Sequence, residues 1–383
     1  MKLLVIGTDT EIFLPGSDAR GRIDAYGRLF DELHVIIYSS PGFSAETLPS
    51  GVRLYPTNSR SFLARPFDAA RIGRRIARER GVGAVSVQDP AESGLAGWLL
   101  KRRTGLPLHI QLHADFFSPH FRRNSWKERI RYWLARFVIP RGDAFRVVSK
   151  RIRQSLISNF QFPISKITVL PIFVDREAIA RAEPAFRIRD RYPEFDFIVL
   201  MVSRLVREKN IRLALEAFGG LLREYPKTGL VIVGDGPERA KVKGKSEKLK
   251  ISGSVRFEGW QDDLISYYKT ADLYLLTSNF EGYSRSVVEA AAAGLPIVMT
   301  DVGVAGDLIR DGETGRVVPV GDRTALIRAL IEARRDYPLM RVIARRAQEA
   351  ILAMEPRNWE GYLEEYRESL RITKKYDYTK SVS

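Results

Sequence analysis

Residues 273–300, LYLLTSNFEGYSRSVVEAAAAGLPIVMT, contain the pattern that decides the fold of this chain. The run Leu273–Leu276 is short and apolar, which is typical of a buried β-strand. The alanine-rich segment that follows predicts a short helix, which Gly294 ends. A second apolar run, Ile297–Thr300, predicts the next strand. A strand, a helix and a strand in this order predict a βαβ unit with parallel strands.

The same alternation of short apolar runs and helical segments continues over nearly the whole chain. In the first half we predict strands at Leu3–Ile6, His34–Tyr38, Val52–Tyr55, Ala84–Val87, Leu108–Leu112, Phe145–Val148 and Ile167–Leu170. In the second half we predict them at Phe197–Val202, Leu230–Val233, Val255–Phe257, Leu273–Leu276, Ile297–Thr300 and Gly315–Val318. Helical segments are predicted at Pro66–Arg80, at Ser125–Phe137, near Asn210 and near Pro237. The predicted fold class is therefore α/β, with two doubly wound parallel sheets in tandem.

The region Pro184–Pro193 lacks a clear periodicity and is bounded by prolines, so it predicts a linker. We therefore expect an N-terminal domain, a C-terminal domain and a terminal helix with a tail, over residues 1–183, 184–355 and 356–383. The charged segment Arg341–Ile372 is predicted to be helical, and Thr373–Ser383 to be a frayed tail. Ligands of doubly wound sheets bind at the carboxyl ends of the strands.

The chain has 383 residues, enough for two or three domains. Its 45% hydrophobic and 28% charged residues are typical of a globular protein and exclude a disordered or fibrous chain. It has no cysteine, which excludes disulfides, thiolate metal sites and cysteine nucleophiles. The first apolar run, Leu3–Ile6, is too short for a signal peptide, and no stretch is long and apolar enough to span a bilayer. We therefore expect a cytoplasmic protein.

Basic residues exceed acidic ones by 16, and most of the excess lies in the first half. Residues 1–180 hold 28 Lys and Arg against 16 Asp and Glu, a net charge of +12. A basic surface favours anionic partners, such as a membrane leaflet, a phosphorylated substrate or nucleic acid. Solvated helix faces explain clusters such as residues 71–80 equally well, so both interpretations stay open.

Two glutamates, Glu281 and Glu289, lie on either side of the predicted helix start. Glu281 lies at the carboxyl end of a strand, and Glu289 lies about one turn into the helix. A carboxylate accepts hydrogen bonds from two adjacent hydroxyls, such as those of a ribose or a hexose. The alternative for Glu289 is a capping box, because Ser286-Val287-Val288-Glu289 has the Ser-x-x-Glu pattern. The spacing alone favours that structural role.

The spacing from Glu281 to Glu289 resembles the paired-glutamate motif of retaining glycosyltransferases with the GT-B fold, in particular glycosyltransferase family 4 (glycosyl transferases group 1). Other motifs similar to the family's stand in its order: VSRLVREKN at 202–210, VGDGP at 233–237, TDVG at 300–303 and DGETG at 311–315. The resemblance is specific over about residues 195–335 and architectural over the first half. It implies two Rossmann-like domains that face each other across a cleft, with a C-terminal helix that crosses back to the first domain.

The resemblance implies a metal-independent, retaining hexosyltransferase without a cofactor, whose co-substrate is a UDP- or GDP-sugar. The implied acceptor is a hydroxyl of a glycan or lipid-linked molecule in cell-surface polysaccharide or glycolipid synthesis. Glu281 would hold the donor sugar, Glu289 the ribose, and Trp260 would be a wall near the base. The implied donor-binding residues are Arg204, Lys209, Gly236, Trp260, Glu281, Tyr283, Ser284, Arg285 and Glu289. The implied catalytic residues are Glu281, His113, Arg204 and Lys209, and the implied acceptor-binding residues are Gly16 and Asp115.

Arg204 and Lys209 follow a predicted strand and precede a helix. Two cations and a helix N-terminus at that place would neutralise a diphosphate. A solvated loop is the alternative, which is about equally favoured for Lys209. Gly234 and Gly236 allow a tight turn and close approach of a ligand, although turn formation alone is the favoured role of Gly234. Arg285 would put a cation close to the donor, in contact with a phosphate or an anionic sugar.

Three of the four histidines lie between His109 and His120. His113 or Asp115, at the end of the strand, resembles the family's histidine near the donor sugar, and a loop histidine that caps the next helix is the alternative. A metal site is not favoured, because His109 and His113 lie on a predicted strand without a carboxylate-rich motif. In the implied reaction the leaving diphosphate takes the acceptor proton, so the main catalytic task is to stabilise negative charge.

Residues 122–137, RRNSWKERIRYWLARF, mix tryptophans with cations at near-helical spacing. Such a helix can lie on an anionic membrane, which would make the protein peripheral at the cytoplasmic face. A core-packed helix with a solvated basic face is the alternative. Two other functions also stay open: a basic protein that binds nucleic acid or anionic lipid without catalysis, and a GT-B-related nucleotide-sugar epimerase. A glycosyltransferase is not expected to bind nucleic acid.

Overall fold

The computed structural model describes residues 1–356 and 358–375, which form two compact units. The first unit consists of Met1–Pro171 together with the C-terminal segment that begins at Glu360. The second unit is Ile172–Trp359. The first unit thus ends at Pro171, and the predicted linker Pro184–Pro193 lies within the second unit.

The sheet of the first unit has eight strands in the order β3-β4-β2-β1-β5-β6-β7-β8. The strands are β1 (Lys2–Gly7), β2 (Glu32–Ile37), β3 (Glu46–Thr47), β4 (Arg53–Pro56), β5 (Ala84–Val87), β6 (Leu108–Leu112), β7 (Ala144–Val147) and β8 (Ile167–Val169). Neighbours pair in parallel, except that β3 is antiparallel to β4. The central strands are almost wholly buried, as expected for a parallel sheet between helical layers.

α-Helices connect these strands. They are α1 (Asp18–Gly27), α2 (Arg65–Arg80), α3 (Glu92–Thr104), α4 (Pro119–Asn124), α5 (Trp126–Val138) and α6 (Lys150–Phe160). Local signals set several of their ends. Gly81 ends α2 in the left-handed conformation, and the hydroxyl of Ser125 accepts hydrogen bonds from the first-turn N–H groups of α5.

The second unit has a six-stranded, wholly parallel sheet in the order β11-β10-β9-β12-β13-β14. Its strands are β9 (Phe197–Val202), β10 (Thr228–Val233), β11 (Val255–Gly259), β12 (Leu273–Leu276), β13 (Ile297–Thr300) and β14 (Arg316–Val318). Its helices are α7 (Arg176–Arg181), α8 (Ile188–Arg191), α9 (Ile211–Glu224), α10 (Arg239–Lys248), α11 (Leu264–Thr270), α12 (Arg285–Ala292), α13 (Arg323–Arg335) and α14 (Tyr337–Leu352). Apolar residues of the strands, α9 and α13 form one continuous core.

The last helix, α15 (Trp359–Lys375), packs on the sheet of the first unit. The buried guanidinium of Arg146, on β7, donates to the hydroxyl of Tyr362 at 2.6 Å. Gln111, on β6, donates to the hydroxyl of Tyr366 at 3.3 Å. The ring of Tyr26 stacks on Tyr366 with 4.5 Å between centroids. Because a buried charge is destabilising without hydrogen bonds, these partners tie the helix to this place on the sheet.

The predicted α/β class with two parallel sheets is confirmed, and each predicted strand differs from the observed one by at most two residues at either end. The helical prediction for Arg341–Ile372 is interrupted, since α14 ends at Leu352 and α15 begins at Trp359. The helix continues to Lys375, and the rest of the predicted tail, 376–383, lies outside the described residues. Within residues 1–356 and 358–375, no helix combines the length and apolarity needed to cross a bilayer.

The predicted linker, Pro184–Pro193, contains α8 and is bound to α11. The backbone N–H of Ala185 donates to the hydroxyl of Ser266 at 2.8 Å. The guanidinium of Arg191 donates to the hydroxyl of Tyr267 at 3.0 Å. These contacts make the segment an integral part of the second unit.

Candidate functional site

The sheet of the second unit reverses its order of strands at β9. This strand pairs with β10 on one side and with β12 on the other. In open α/β sheets, ligands bind outside the carboxyl ends of the strands at such a switch point. The loops that follow Val202 and Leu276 are therefore the expected site, and they carry the predicted residues Arg204, Lys209 and Glu281.

Hydrogen bonds fasten these two loops to each other. The hydroxyl of Thr277 donates to the carbonyl of Lys209 at 3.0 Å, and the N–H of Asn279 donates to the carbonyl of Glu208 at 2.8 Å. The side-chain amide of Asn210 donates to that of Asn279 at 3.0 Å. Asn210 has a φ of 47°, a left-handed conformation that asparagine tolerates better than most residues. The backbone of the site is thus held in place by its own polar groups.

Lys209 and Glu281, one from each loop, form an ion pair. Nζ of Lys209 is 2.5 Å from Oε1 of Glu281, and the hydroxyl of Ser278 donates to the same oxygen at 2.7 Å. Both charged side chains are largely buried, so salt screens the pair only weakly. Ser278 was not predicted as a site residue. Its place just after β12 is the one signal that could have identified it.

Arg204 differs from Lys209 in that it is exposed. Its Nη2 atom is 3.9 Å from Oε1 of Glu208, four residues later in the same loop. An exposed pair at this distance contributes little to stability. The guanidinium can therefore turn towards an anion at the switch point with little loss of energy.

The glycine turn after β10 packs against the loop after β9. Gly234 has a φ of +122°, and a Cβ atom there would lie 2.1 Å from the carbonyl oxygen of Ser203. Gly236 has a φ of +159°, and a Cβ atom there would lie 2.6 Å from the carbonyl oxygen of Leu205. Both glycines permit one backbone to approach another. For Gly234 this packing role adds to the predicted turn role.

Glu289 lies in the second turn of α12, and its side chain is nearly buried. The hydroxyl of Tyr268 donates to Oε2 at 3.0 Å, and Nε of Arg285 donates to Oε1 at 2.7 Å. Burial and the Glu289 carboxylate raise the pKa of Tyr268 well above its usual value, so the phenol stays a proton donor. Tyr268 lies on α11 without any motif around it and was not predicted as a site residue.

The capping-box interpretation of Glu289 is wrong. The N-cap of α12 is Ser284, which has a φ of 69° and makes no side-chain capping bond. The hydroxyl of Ser286 instead accepts a hydrogen bond from Tyr274 at 2.7 Å. Among the described residues, the side chains of Tyr268 and Arg285 hold the carboxylate of Glu289, and it does not fold back onto the helix N-terminus.

Tyr283 and Ser284 are buried in the turn before α12. Burial raises the pKa of Tyr283 to about 12. The hydroxyl of Ser284 has no hydrogen-bond partner among the residues that the structure describes, and it lies against Gly303. A Cβ atom at Gly303, which has a φ of +57°, would be 2.2 Å from that oxygen. Glycine at 303 therefore lets the loop after β13 close against this turn.

Trp260 follows β11 and is exposed. Its indole N–H donates to Asp262 at 3.2 Å. The carbonyl of Gly259 accepts a hydrogen bond from the N–H of Gly234 at 2.6 Å. Trp260 therefore lies next to the glycine turn, with one strand, β10, between its own strand and β9.

The predicted site residues of the first unit follow β1 and β6. Gly16 has a φ of +79° in the turn before α1, and His113 directly follows β6 and is exposed. Asp115 accepts hydrogen bonds from the N–H of Phe117 at 3.2 Å and from the hydroxyl of Ser155 at 3.4 Å. Burial raises the pKa of Asp115. At least part of its role is thus to hold its own loop.

His109 is buried on β6, with Nδ1 2.9 Å from the hydroxyl of Ser86. Burial, together with the guanidinium of Arg146, lowers the pKa of His109 to about 3. Within the described parts of the two units, no group of three His, Cys, Asp or Glu side chains is arranged to hold a metal ion.

Two family profiles match the chain, one mainly in each unit. The profile for Glycosyl transferases group 1 matches residues 184–350, and that for Glycosyltransferase Family 4 matches residues 23–178. The chain belongs to glycosyltransferase family 4. The family predicted from the paired glutamates and the other motifs in their order is thereby confirmed.

Curated relatives of this family 4 chain include proteins named for glycan and lipid substrates. Lipopolysaccharide core biosynthesis glycosyltransferase LpsE of Rhizobium meliloti is 32% identical over 155 residues, which are 40% of this chain and 44% of LpsE. Alpha-monoglucosyldiacylglycerol synthase of Streptococcus pneumoniae is 27% identical over 263 residues, which are 66% of this chain and 58% of the synthase. The chain thus spans about half the length of these relatives.

Among solved structures, HepE of Anabaena in complex with UDP and glucose has the same fold as this family 4 chain. The TM-score is 0.70 at 18% identity, and the match covers 99% of each chain. At this identity the likeness concerns the fold alone. The predicted GT-B fold class is confirmed.

Proposed function

We propose that this chain is a retaining hexosyltransferase that moves a sugar from a UDP- or GDP-sugar to a hydroxyl of a glycan or lipid-linked acceptor. The product would enter cell-surface polysaccharide or glycolipid synthesis. One observation carries the proposal: the two loops at the switch point join Lys209 to Glu281 and leave Arg204 exposed. Cations and carboxylates at one edge of a sheet suit a ligand with both phosphates and hydroxyls. A nucleotide sugar is such a ligand.

We assign the donor diphosphate to Lys209 and Arg204. The ammonium group of Lys209 has three N–H donors, and Glu281 takes one of them. The remaining donors suit phosphate oxygens. Arg204 adds a planar guanidinium that can bind phosphate through two parallel hydrogen bonds.

We assign the hydroxyl groups of the donor to the two glutamates, with Glu289 on the ribose and Glu281 on the sugar. The exposed indole of Trp260 offers a flat face for the base. Further residues proposed for the donor site are Gly236, Tyr283, Ser284 and Arg285. These assignments follow the family motif, and the hydrogen bonds around the two carboxylates support them.

In the proposed reaction, the bond from the sugar C1 to the diphosphate breaks. The acceptor oxygen bonds to C1 from the same face, which retains the configuration. The acceptor proton passes to the leaving diphosphate, while Lys209 and Arg204 stabilise the negative charge that develops there. No step needs a metal ion, since these two cations supply the positive charge. We also propose a catalytic role for His113 and acceptor contacts for Gly16 and Asp115.

The names of the relatives support the substrate classes. HepE was solved with UDP and glucose, LpsE is named for lipopolysaccharide core synthesis, and the Streptococcus pneumoniae synthase for a glucosyl diacylglycerol. A lipid-linked acceptor would bring the enzyme to the cytoplasmic face of a membrane as a peripheral protein. The proposal includes no nucleic-acid partner.

The proposal is tested by incubating the full chain with UDP- and GDP-sugars and measuring released UDP or GDP. Thermal stabilisation by each nucleotide first identifies the base. Arg204→Met is expected to lower kcat/KM at least about tenfold, because a hydrogen bond to a charged group contributes about 1.5–3 kcal/mol. The matched control is Arg212→Met, since Arg212 is similarly exposed and is paired with Glu216 on α9.

Equal rates for the two variants would refute the role assigned to Arg204. Interconversion of sugars on the nucleotide, without release of UDP or GDP, would favour an epimerase instead. The anomeric configuration of the first product is read by NMR, and an inverted product contradicts retention. Activity that is lost in EDTA and restored by Mg²⁺ contradicts metal independence.

A further inference from the structure

Helix α5 of the first unit carries a stripe of large apolar side chains that face solvent. The exposed fractions are 67% for Trp126, 51% for Ile130, 59% for Trp133 and 39% for Phe137. At 100° per residue these four positions fall within an arc of about 60°, and the stripe is about 16 Å long. Single exposed apolar residues are common, whereas an aligned set on one helix face indicates an interaction surface.

The opposite face of α5 already packs within the unit. Ala135 and Val138 are buried, and Nε of Arg131 donates to the carboxylate of Glu92, on α3, at 3.1 Å. The ring of Phe137, at the end of the stripe, also lies 4.8 Å from that of Trp98 on α3 between centroids. These contacts fix the helix to the unit while Trp126, Ile130 and Trp133 stay more than half exposed. The core-packed alternative predicted for this helix is correct for one face, and it leaves the exposed apolar face unexplained.

Cations surround the stripe. Arg129 and Arg136 lie on one side of it and Lys127 on the other, as the helical period places them. Residues 119–141 contain seven Arg and Lys and a single carboxylate, Glu128, which is bound to the N-cap hydroxyl of Ser125. The surface therefore combines an apolar line with positive flanks.

The helices α4 and α5 also form an open pocket of about 370 Å³. Its lining is made of three arginines and one aromatic residue: Arg122, Arg123, Arg129 and Trp133. Among the residues that the structure describes, no ion pair involves these three arginines. Three guanidinium groups around a small concave surface suit a phosphate group, and Trp133 belongs to both the pocket and the stripe.

We propose that this face, Trp126, Ile130, Trp133 and Phe137 with the pocket of Arg122, Arg123 and Arg129, docks on an anionic phospholipid leaflet. The apolar stripe enters the boundary between headgroups and acyl chains, where tryptophan is favoured. The pocket binds the phosphate of a lipid headgroup, and the flanking cations interact with the negative surface. The combination of aromatic line, cationic flanks and near absence of carboxylates argues for a membrane rather than a protein partner.

This docking surface extends the proposed function, because a lipid-linked acceptor lies in such a leaflet. The test of the surface measures membrane binding and does not depend on the reaction with the donor. The full chain is sedimented with phosphatidylcholine vesicles, with and without about one third phosphatidylglycerol. We expect binding to be about tenfold tighter with the anionic lipid and to weaken as salt is added. Brominated lipid is expected to quench the tryptophan fluorescence of the bound protein.

Two double variants separate the stripe from the pocket. Trp126→Gln with Trp133→Gln and, separately, Arg122→Gln with Arg123→Gln are each expected to lower affinity for anionic vesicles about tenfold or more. The matched apolar control is Leu339→Gln with Val342→Gln, exposed residues of α14. The matched charge control is Arg75→Gln with Arg78→Gln, exposed residues of α2 in the same unit. Both controls are expected to bind like the unmodified chain.

The proposal is overturned if the chain binds neutral and anionic vesicles equally, or binds neither. It is also overturned if the control variants lose as much affinity as the α4–α5 variants. A stable dimer that the tryptophan variant abolishes would assign the face to a second copy of the chain instead. Release of UDP or GDP in the absence of vesicles should be the same in all four variants. Vesicle binding without any nucleotide-sugar turnover would support this docking surface and refute the proposed function.

Discussion

Removing the 2′-hydroxyl of the bound ribose is expected to weaken binding only while the carboxylate of Glu289 is intact. Each oxygen of this carboxylate already accepts one hydrogen bond, from Tyr268 and from Arg285. These two donors fix its orientation before any ligand arrives. A carboxylate oxygen has room for a second donor, so each oxygen can accept one ribose hydroxyl.

The magnitude follows from the charge and burial of the acceptor. A hydrogen bond to a charged group contributes about 1.5–3 kcal/mol, and 1.4 kcal/mol corresponds to about a tenfold change in affinity. The unmodified chain should therefore bind 2′-deoxy-UDP about tenfold to a hundredfold more weakly than UDP. In Glu289→Gln this ratio should fall to about threefold or less. In Tyr268→Phe it should be intermediate, because the carboxylate remains but loses one of its two supports.

The assay is calorimetric titration of each variant with UDP and 2′-deoxy-UDP, or with the guanine pair if thermal stabilisation selects GDP. Glu258→Gln is the matched control. The side chain of Glu258 is 10% exposed, as is that of Glu289, and it too is held by an arginine and by tyrosine hydroxyls. The control should keep the ratio of the unmodified chain. An unchanged ratio in Glu289→Gln would refute the assignment of the ribose to this carboxylate.

Three further predictions test neighbouring parts of the structure. Lys209→Met is expected to weaken binding of UDP about tenfold or more, and binding of UMP, which has no β-phosphate, far less. Equal losses of affinity for both nucleotides in calorimetry would contradict a contact between Lys209 and the β-phosphate. Gly303→Ala should destabilise the protein by about 3 kcal/mol, because the new Cβ atom would lie 2.2 Å from the Ser284 hydroxyl and the residue has a positive φ. Adding Ser284→Gly should restore part of the lost stability in thermal unfolding. If it restores none, the steric cause is contradicted. His109 is neutral in the folded chain, where its pKa is about 3, whereas in the unfolded chain it gains a proton near pH 6.5. The free energy of unfolding should therefore fall as the pH decreases from about 6.5 to about 3, by up to about 1.4 kcal/mol per pH unit. In thermal unfolding His109→Gln should flatten this slope, and an unchanged slope would contradict the assignment.

The strands could be predicted because parallel strands that are buried on both faces are continuous apolar runs. Phe197–Val202 is an example, since all six residues are buried and both predicted ends are correct. The short strand β3, Glu46–Thr47, has no such run and, within the described part of the chain, pairs with β4 alone. The four-residue helix α8 was missed for a related reason. So short a helix depends on its contacts with α11 more than on its own sequence.

The site could be predicted only as far as the motifs extend. Two motifs that resemble those of family 4 identified Glu281 and Lys209, and the structure brings these two side chains into contact. Ser278 and Tyr268 complete the two carboxylate sites, but no motif marks them, since their positions result from packing of separate elements. The capping-box pattern at Ser286 was misleading because the N-cap of the helix is Ser284, two residues earlier than the pattern requires.

Glu281 and Glu289 look alike in the sequence, yet their hydrogen bonds leave different parts of each carboxylate available. Oε1 of Glu281 accepts from both Lys209 and Ser278, so its Oε2 has no donor within the part of the chain that the structure describes. Glu289 accepts one hydrogen bond on each oxygen, which leaves one lone pair on each. Two adjacent ribose hydroxyls can therefore bridge the oxygens of Glu289, whereas Glu281 offers a single oxygen to a hydroxyl of the sugar. This difference supports the proposed division of roles, which the spacing of the two glutamates alone does not provide.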